Sequence, residues 1–434
     1  MAKSGKNFSI GTKIFLVSAC FSLPIVVLSY FVISNIGDNI RFANMEMAGN
    51  AYQVPLEALL KGITDHQRLV HDCPLTAAGC SAKIGAAGDA VRRDLDALRS
   101  VDAKYGTTLE FTAEGLAKRG RQQDSAANLG QSWEGIATGL AAAKGVPDPK
   151  LDAQYNNALD IVATMITHLG DTSELILDPE LDTYHFVVNT LNTLPQNQLR
   201  LARMNAAARD AYSHGSFTIA DRAALATHAA LLQSMDIDQS TGDTQTALHE
   251  NQNQFHPAVD AFQKEIPSVF QQWSESNSKL VASTKQISTA EHPPVTYEQY
   301  SALTQKAQAD SFLFWDTGVR NLNNLLQLRV NYYERRRTDA LLLSALALLL
   351  AAFMAYSVAR SMIVPLNKLS LTLTPGATLL ASSIRKIGDP SGSGVQDSET
   401  ISLICDELSA HADDMRSTAN ALERLVFGSG RVSA

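Results

Sequence analysis

Aromatic side chains are scarce in this chain, 7% of residues against 45% hydrophobic overall, and alanine and leucine carry much of the apolar content. Strands draw on aromatic and β-branched residues, so this balance disfavours sheets and suits long helices. Four cysteines in 434 residues exclude a disulfide-dense scaffold. There is no phosphate-binding loop, nucleophile elbow or metal motif of diagnostic spacing, so the expectation is a non-enzyme without a cofactor. Basic residues number 36 and acidic ones 44. Because residues 1–35 carry only Lys3, Lys6 and Lys13, and the last 75 are nearly balanced, the acidic excess falls between the ends. Such a surface repels phosphate, which excludes nucleic acid as a partner.

Two stretches lack charge altogether, Ile14 to Ile33 and Ala340 to Ala359. Twenty helical residues at about 1.5 Å each match a hydrocarbon core about 30 Å thick. The first run exceeds the apolar core of a signal peptide and no A-x-A pattern follows it, so it reads as a retained anchor. The expected layout is a cytoplasmic N-terminus over 1–13, a span over 14–35, an exported helical domain over 36–338, a second span over 339–359 and a cytoplasmic segment over 360–434. Lysines before the first span set this orientation. Arg335, Arg336 and Arg337 oppose it, but the rule weakens for long translocated loops.

The class is all-α, with the exported domain expected as two stacked four-helix bundles. Breakers predict helices near 36–72, 84–102, 108–143, 150–177, 180–213, 218–289 and 296–338, with Pro257 and Pro267 set to divide or kink the sixth. From Thr296 to Val364 there is no proline and one glycine, Gly318. Trp315, Val319, Leu322, Leu326, Val330 and Tyr333 recur there at spacings of three and four, a stripe that packs within the subunit or across a two-fold axis.

Cys73 and Cys80 share a short loop containing Pro74 and Gly79, which reads as a disulfide staple in an exported domain. Two rivals stand beside it: a metal site with His66 and His71, which are five apart and share a helix face badly, and two free thiols. The run from Asp178 reads as a helix start, with Asp178 as N-cap, Pro179 at the first position and acids in the first turn.

The run LILDPELDTYHFVVNTLNTLP, residues 175–195, resembles a segment of the extracytoplasmic sensory regions of bacterial chemoreceptors (methyl-accepting chemotaxis proteins), and Asp65-His66-Gln67-Arg68-Leu69 resembles their first-helix segment. Arg360-Ser361-Met362-Ile363-Val364-Pro365-Leu366-Asn367-Lys368-Leu369 is similar to the opening of a HAMP linker, with Thr374-Pro375-Gly376 expected to interrupt its first helix. The resemblance implies a homodimeric inner-membrane receptor that binds a small molecule in the periplasm and relays a signal through Arg360 and Pro365 to a cytoplasmic partner. The long kinase-control hairpin of that family is not among these residues. Arg68, Tyr184, Arg200 and Arg203 are the candidate ligand residues, since bidentate arginines suit an anionic metabolite. A membrane-tethered scaffold, or the input subunit of a sensor histidine kinase or diguanylate cyclase, are the alternative readings.

Overall fold

The computed structural model describes residues 10–73, 79–142, 147–254, 260–387 and most of 403–417, and among them every regular element is helical. The helices are α1 (Ile10–Asp72), α2 (Cys80–Tyr105), α3 (Ala113–Lys118), α4 (Ala126–Ala142), α5 (Pro149–Thr172) and α6 (Leu181–Val188). They continue with α7 (Leu194–Ser213), α8 (Ile219–Leu231), α9 (Gln239–Gln254), α10 (Asp260–Thr289) and α11 (Tyr297–Ile387). The chain divides into two units, Asn35–Arg336 and the pair Met1–Ser34 with Arg337–Ala434.

In the unit Asn35–Arg336, α1 and α11 run antiparallel against each other. Glu46 meets Arg329, the Asn50 amide donates to the Val319 carbonyl (2.8 Å), Lys61 lies over the Phe312 ring and Tyr297 reaches Asp72. On α1 pack α2, α4 and α5: Tyr52 donates to Asp102 (2.8 Å), and His66 lies 2.5 Å from the Tyr155 hydroxyl with its ring edge-on to Trp133. With α11 pack α7 and α10, where Gln198 donates to the Gln308 carbonyl, Thr284 bonds Tyr300 (2.9 Å) and Asn277 bonds Ser311, and the α8–α9 arm packs on α10, α7 and α6. The two four-helix groups therefore lie side by side along the α1–α11 pair rather than end to end. Leu56, Leu59, Val91, Trp133 and Val162 fill one group, and Met204, Leu225, Trp273, Leu280 and Phe314 the other. At about 25 cal/mol per Å² of apolar surface, this shared core is the main source of stability.

The stripe on α11 is resolved by this packing. Trp315, Val319, Leu322, Leu326 and Val330 are buried against their own chain and so present no face to a second copy, and Tyr333 is half-buried. Gly318 belongs to the same face for a steric reason. A Cβ there would sit 2.9 Å from the Phe186 ring, so glycine lets α6 approach α11.

Some helix ends differ from expectation. The stretch 108–143 splits because a turn at Gly106 leads to Thr112, whose hydroxyl caps α3, and Gly120 at φ 67 then turns the chain towards α4. Helix α5 stops at Thr172, where Glu174 takes a left-handed φ of 65 before a 3-10 turn, Leu175–Leu177. The long sixth helix becomes α8, a π-helical segment Leu232–Asp238, and α9; Pro257 lies outside the described residues and Pro267 sits inside α10. A second π-helical segment, Asn189–Thr193, joins α6 to α7.

The other unit holds the uncharged runs. Its helices, parts of α1 and α11, are long and apolar enough to cross a membrane, with mean hydropathy 2.3 in each 18-residue window. Their outward residues are exposed hydrophobics such as Phe21, Leu28, Leu343 and Phe353. The Ser29 hydroxyl donates to Ser344 (2.8 Å), a polar contact between two apolar helices. Helix α11 also overturns an expected break: it continues through Pro365 and through Thr374-Pro375-Gly376 to Ile387. A proline forfeits one backbone bond, and the neighbouring turns keep theirs. The loop Gly388 to Gly394 lies outside the described residues, whereas the described parts of 403–417 are helical.

Cys73 and Cys80 are joined by a disulfide with Cα atoms 5.4 Å apart, while Cys20 and Cys405 are free and exposed. The rival metal site is overturned by the same geometry, since His66 is taken by Tyr155 and His71 by Asp152 (2.7 Å). Full-length chain isolated without reductant is expected to show two alkylatable thiols by intact mass, and four after reduction; four at the outset would remove the bridge.

Candidate functional site

Among the described residues of the unit Asn35–Arg336, a dense buried charged cluster centres on Arg329 of α11, a residue that the sequence does not single out. Its guanidinium is 3% exposed and reaches three carboxylates. Nη1 donates to Glu46 Oε2 of α1 (2.8 Å). Nη2 donates to Asp178 (2.9 and 3.3 Å), lies 2.9 Å from Glu180 Oε2 and donates to the Thr183 hydroxyl (2.6 Å). Glu46 and Asp178 are fully buried at the side chain, and Glu180 is 20% exposed. The cluster thus ties α1 and α11 to the segment 173–180 that crosses from one four-helix group to the other.

Local structure explains how the crossover gets there. Helix α6 starts at Leu181 with Glu180 at the cap position, so Asp178 is not the N-cap; its carboxylate accepts the Glu180 amide (2.9 Å) and turns inward to Arg329. Gly49 on α1 makes room for the crossover, because a Cβ there would fall on the Ser173 side chain. Asp182 is buried one turn on, accepting from the Thr183 amide (2.8 Å) and from Asn251 of α9 (2.9 Å).

Three carboxylates around one guanidinium leave two negative charges uncompensated if all ionise, which a buried site does not tolerate. Burial, then the neighbouring Asp178, push the Glu46 carboxyl up to about 9, with Arg329 opposing. Burial raises Glu180 and Asp182 as well. Burial works against the charge on Arg329, but Asp178, Glu46 and Glu180 outweigh it and hold its proton more tightly. Burial and the neighbouring acid thus favour the protonated form of Glu46, and the three acids favour the charged form of Arg329. Among the described residues, no donor reaches Glu46 Oε1 and Arg329 Nε has no acceptor.

The four residues expected to bind a ligand are not brought together. Arg68 pairs with Asp65 and Asp72 of its own helix, both at 3.5 Å. Arg200 is held by Asp236 (2.8 Å) beside the buried Asn197, and Arg203 lies 3.7 Å from Asp160 at the surface. Arg200 and Arg203 do converge on His228, whose ring burial and then these two charges push towards the neutral form. Tyr184 is 37% exposed and lines a recess of about 290 Å³ with Ile166, Gly170, Ile176 and Leu191. Acids thus engage all three arginines, none of which lines that recess. A larger recess of about 640 Å³ lies between α1, α2 and α11, lined by Asn50, Pro55, Asp94, Arg320, Asn323 and Asn324 among others. Arg360 donates to Tyr356 on its own helix (3.1 Å).

Arg329 had one signal in the sequence. Asp178, Glu180 and Asp182 crowd five residues with no basic neighbour, and Arg329 falls three residues after Leu326 on the apolar stripe. A cation on a buried stripe and acids without local partners point to each other.

No family model, curated protein or solved structure matches this chain.

Removing Arg329 strands buried carboxylates. Arg329→Met is expected to lower unfolding stability of the full-length chain by about 3–5 kcal/mol. Adding Glu46→Gln and Asp178→Asn to it should recover part of that loss in denaturant titrations. A neutral effect of Arg329→Met alone would mean that water or other groups already satisfy the acids.

Proposed function

We infer that this protein is a transmembrane signal-transduction receptor: the helical unit Asn35–Arg336 senses a small ligand outside the membrane, and α11 relays the change across it. The observation that carries this reading is the Arg329 cluster, which joins α1, the crossover and α11 at one buried point. Helix α11 runs from that point into the uncharged segment without a break. A buried charge cluster is a sound basis for two discrete arrangements, because partly separated charges in a low dielectric are costly and intermediate geometries are disfavoured.

The ligand recess is the one between α1, α2 and α11, where Asp94, Arg320, Asn323 and Asn324 supply polar groups over an apolar floor. An occupant there touches both helices that also meet at Arg329. The protein resembles a chemoreceptor in this plan, with the large unit periplasmic, the spans in a bacterial inner membrane and a HAMP-like segment after Arg360 passing the signal to a cytoplasmic partner. The receptor works as a homodimer. Since the Trp315 to Val330 stripe is buried, the exposed apolar residues of α11, Leu328 and Tyr332, are the positions that face a second copy.

A thermal-shift screen of the full-length chain in detergent, against organic acids, amino acids, nitrate and purines, tests sensing. One class should raise the melting temperature, since a ligand at 100 times its dissociation constant stabilises by about 2.7 kcal/mol. Substitution Arg320→Ala should abolish that shift. If no class binds and cysteines at Leu328 and Tyr332 crosslink copies with constant efficiency under every condition, the tethered-scaffold reading takes its place.

Orientation has its own readout. A periplasm-active reporter fused after Ala434 should be silent and one inserted near Gly145 active, and the reverse pattern would overturn the periplasmic placement.

A further inference from the structure

We propose that the carboxyl pair Glu46–Asp178 is a proton-binding site, in which one proton carried by Glu46 and shared with Asp178 locks the crossover against α1 and α11. The inference does not depend on the receptor reading. It starts from a shortage of donors. Glu46 Oε2 takes one hydrogen bond from Arg329 Nη1, while Oε1 is buried and receives none among the described residues. The same guanidinium holds Asp178 through Nη2 and so brings the two buried carboxyls together; the Asp178 oxygens already accept from Nη2 and from the Glu180 amide. Two ionised carboxylates repel; a protonated one donates to its neighbour, which satisfies the orphaned oxygen and removes one of the two excess charges.

The groups that face this pair come from every element around it. Helix α11 supplies Arg329, and Tyr333 lies near Arg329 and Glu180; the crossover supplies Asp178 and Glu180; α6 supplies Asp182, itself bonded to Asn251. Glu180 is the most exposed of the three acids on Arg329 and so the one that water compensates best. Glu46, at 0% exposure with a second carboxylate beside it, is the one that keeps a proton. That ordering agrees with a Glu46 carboxyl pushed up to about 9 by burial and by Asp178.

The sign of the pH effect follows. Glu46 binds its proton more tightly in the folded than in the unfolded chain. Its contribution to folding is full below the ordinary value of 4.5 and is lost as pH rises to about 9. Within that window one extra bound proton changes the folding constant by roughly tenfold per pH unit. Once the proton leaves, Arg329 faces three carboxylates, and the crossover with its left-handed Glu174 is the part free to separate, since α1 and α11 are pinned by their own packing.

The full-length chain in detergent is titrated from pH 5 to 9 by two readouts. Denaturant unfolding of wild type should weaken with pH relative to Glu46→Gln by up to tenfold per unit, whereas Glu57→Gln, a buried carboxyl elsewhere on α1, should leave that component in place. Infrared difference spectra should show a protonated-carboxyl stretch at neutral pH that Glu46→Gln removes. Should Glu46→Gln fail to fold, Asp178→Asn decides instead: taking away the negative neighbour should shift the titration of that band to lower pH. Parallel pH profiles for wild type and Glu46→Gln, a band untouched by that variant, or an unchanged midpoint in Asp178→Asn would each overturn the proposal.

Discussion

The fold depends on the ion cluster that closes it, because Arg329 is where three separately made pieces of chain become one body. Hydrophobic packing holds each four-helix group, and any well-filled core would do so. It does not specify how the crossover passes from one group to the other. Arg329 does, since its planar donors fix the positions of Glu46, Asp178 and Thr183 within hydrogen-bond distance at once. A buried ionic group of this kind is weak evidence for stability and better evidence for a single defined arrangement. Gly49 and Gly318 serve the same junction from the steric side by letting the crossover and α6 approach α1 and α11.

A second polar centre lies inside the other four-helix group and shows a different solution. Asn197 of α7 donates to Asp236 and Asn277 and accepts from Ser311 (2.6 Å), while Arg200 neutralises Asp236. Asp236 belongs to the π-helical segment of the α8–α9 arm, and Asn197 follows closely after the π-helical segment that ends α6. A π turn widens the helix and re-aims the residues after it. Here one wide turn supplies Asp236 and the other leads into the helix that carries Asn197, and their polar centre fixes the register between α7 and its neighbour. Apolar residues alone would tolerate a slip of one turn; a satisfied amide and carboxylate do not.

Much of this was legible in the sequence. The two uncharged runs, the all-helical class and the buried stripe from Trp315 to Val330 follow from hydropathy and spacing, which depend on the nearest few residues. The ends of several helices were not legible, because a Thr112 cap, a left-handed Glu174 and π segments are decided by tertiary contacts that propensity does not contain. The site residues were the least legible. Arg68, Arg200 and Arg203 were chosen for their charge, yet each is claimed by an acid that lies near it only in the fold or on its own helix turn. Asp178 illustrates the limit best. Its sequence context fits a helix cap in every local respect, and the partner that takes it inward is 151 residues away.

The pairing of α1 with α11 also sets a timetable for the molecule's assembly. Glu46 and Arg329 are separated by 283 residues, so the first helix leaves the ribosome long before the helix that covers it exists. At about 5–20 residues per second, that interval lasts roughly 15–60 seconds. During it α2, α4 and α5 can close one side of α1, while the face that carries Glu46 and Asn50 stays open to water or to a chaperone. The arrival of Arg329 ends that exposure, and in a nascent chain it is among the last events before the second apolar run emerges. Synthesis of α11 is thus the step that completes α1.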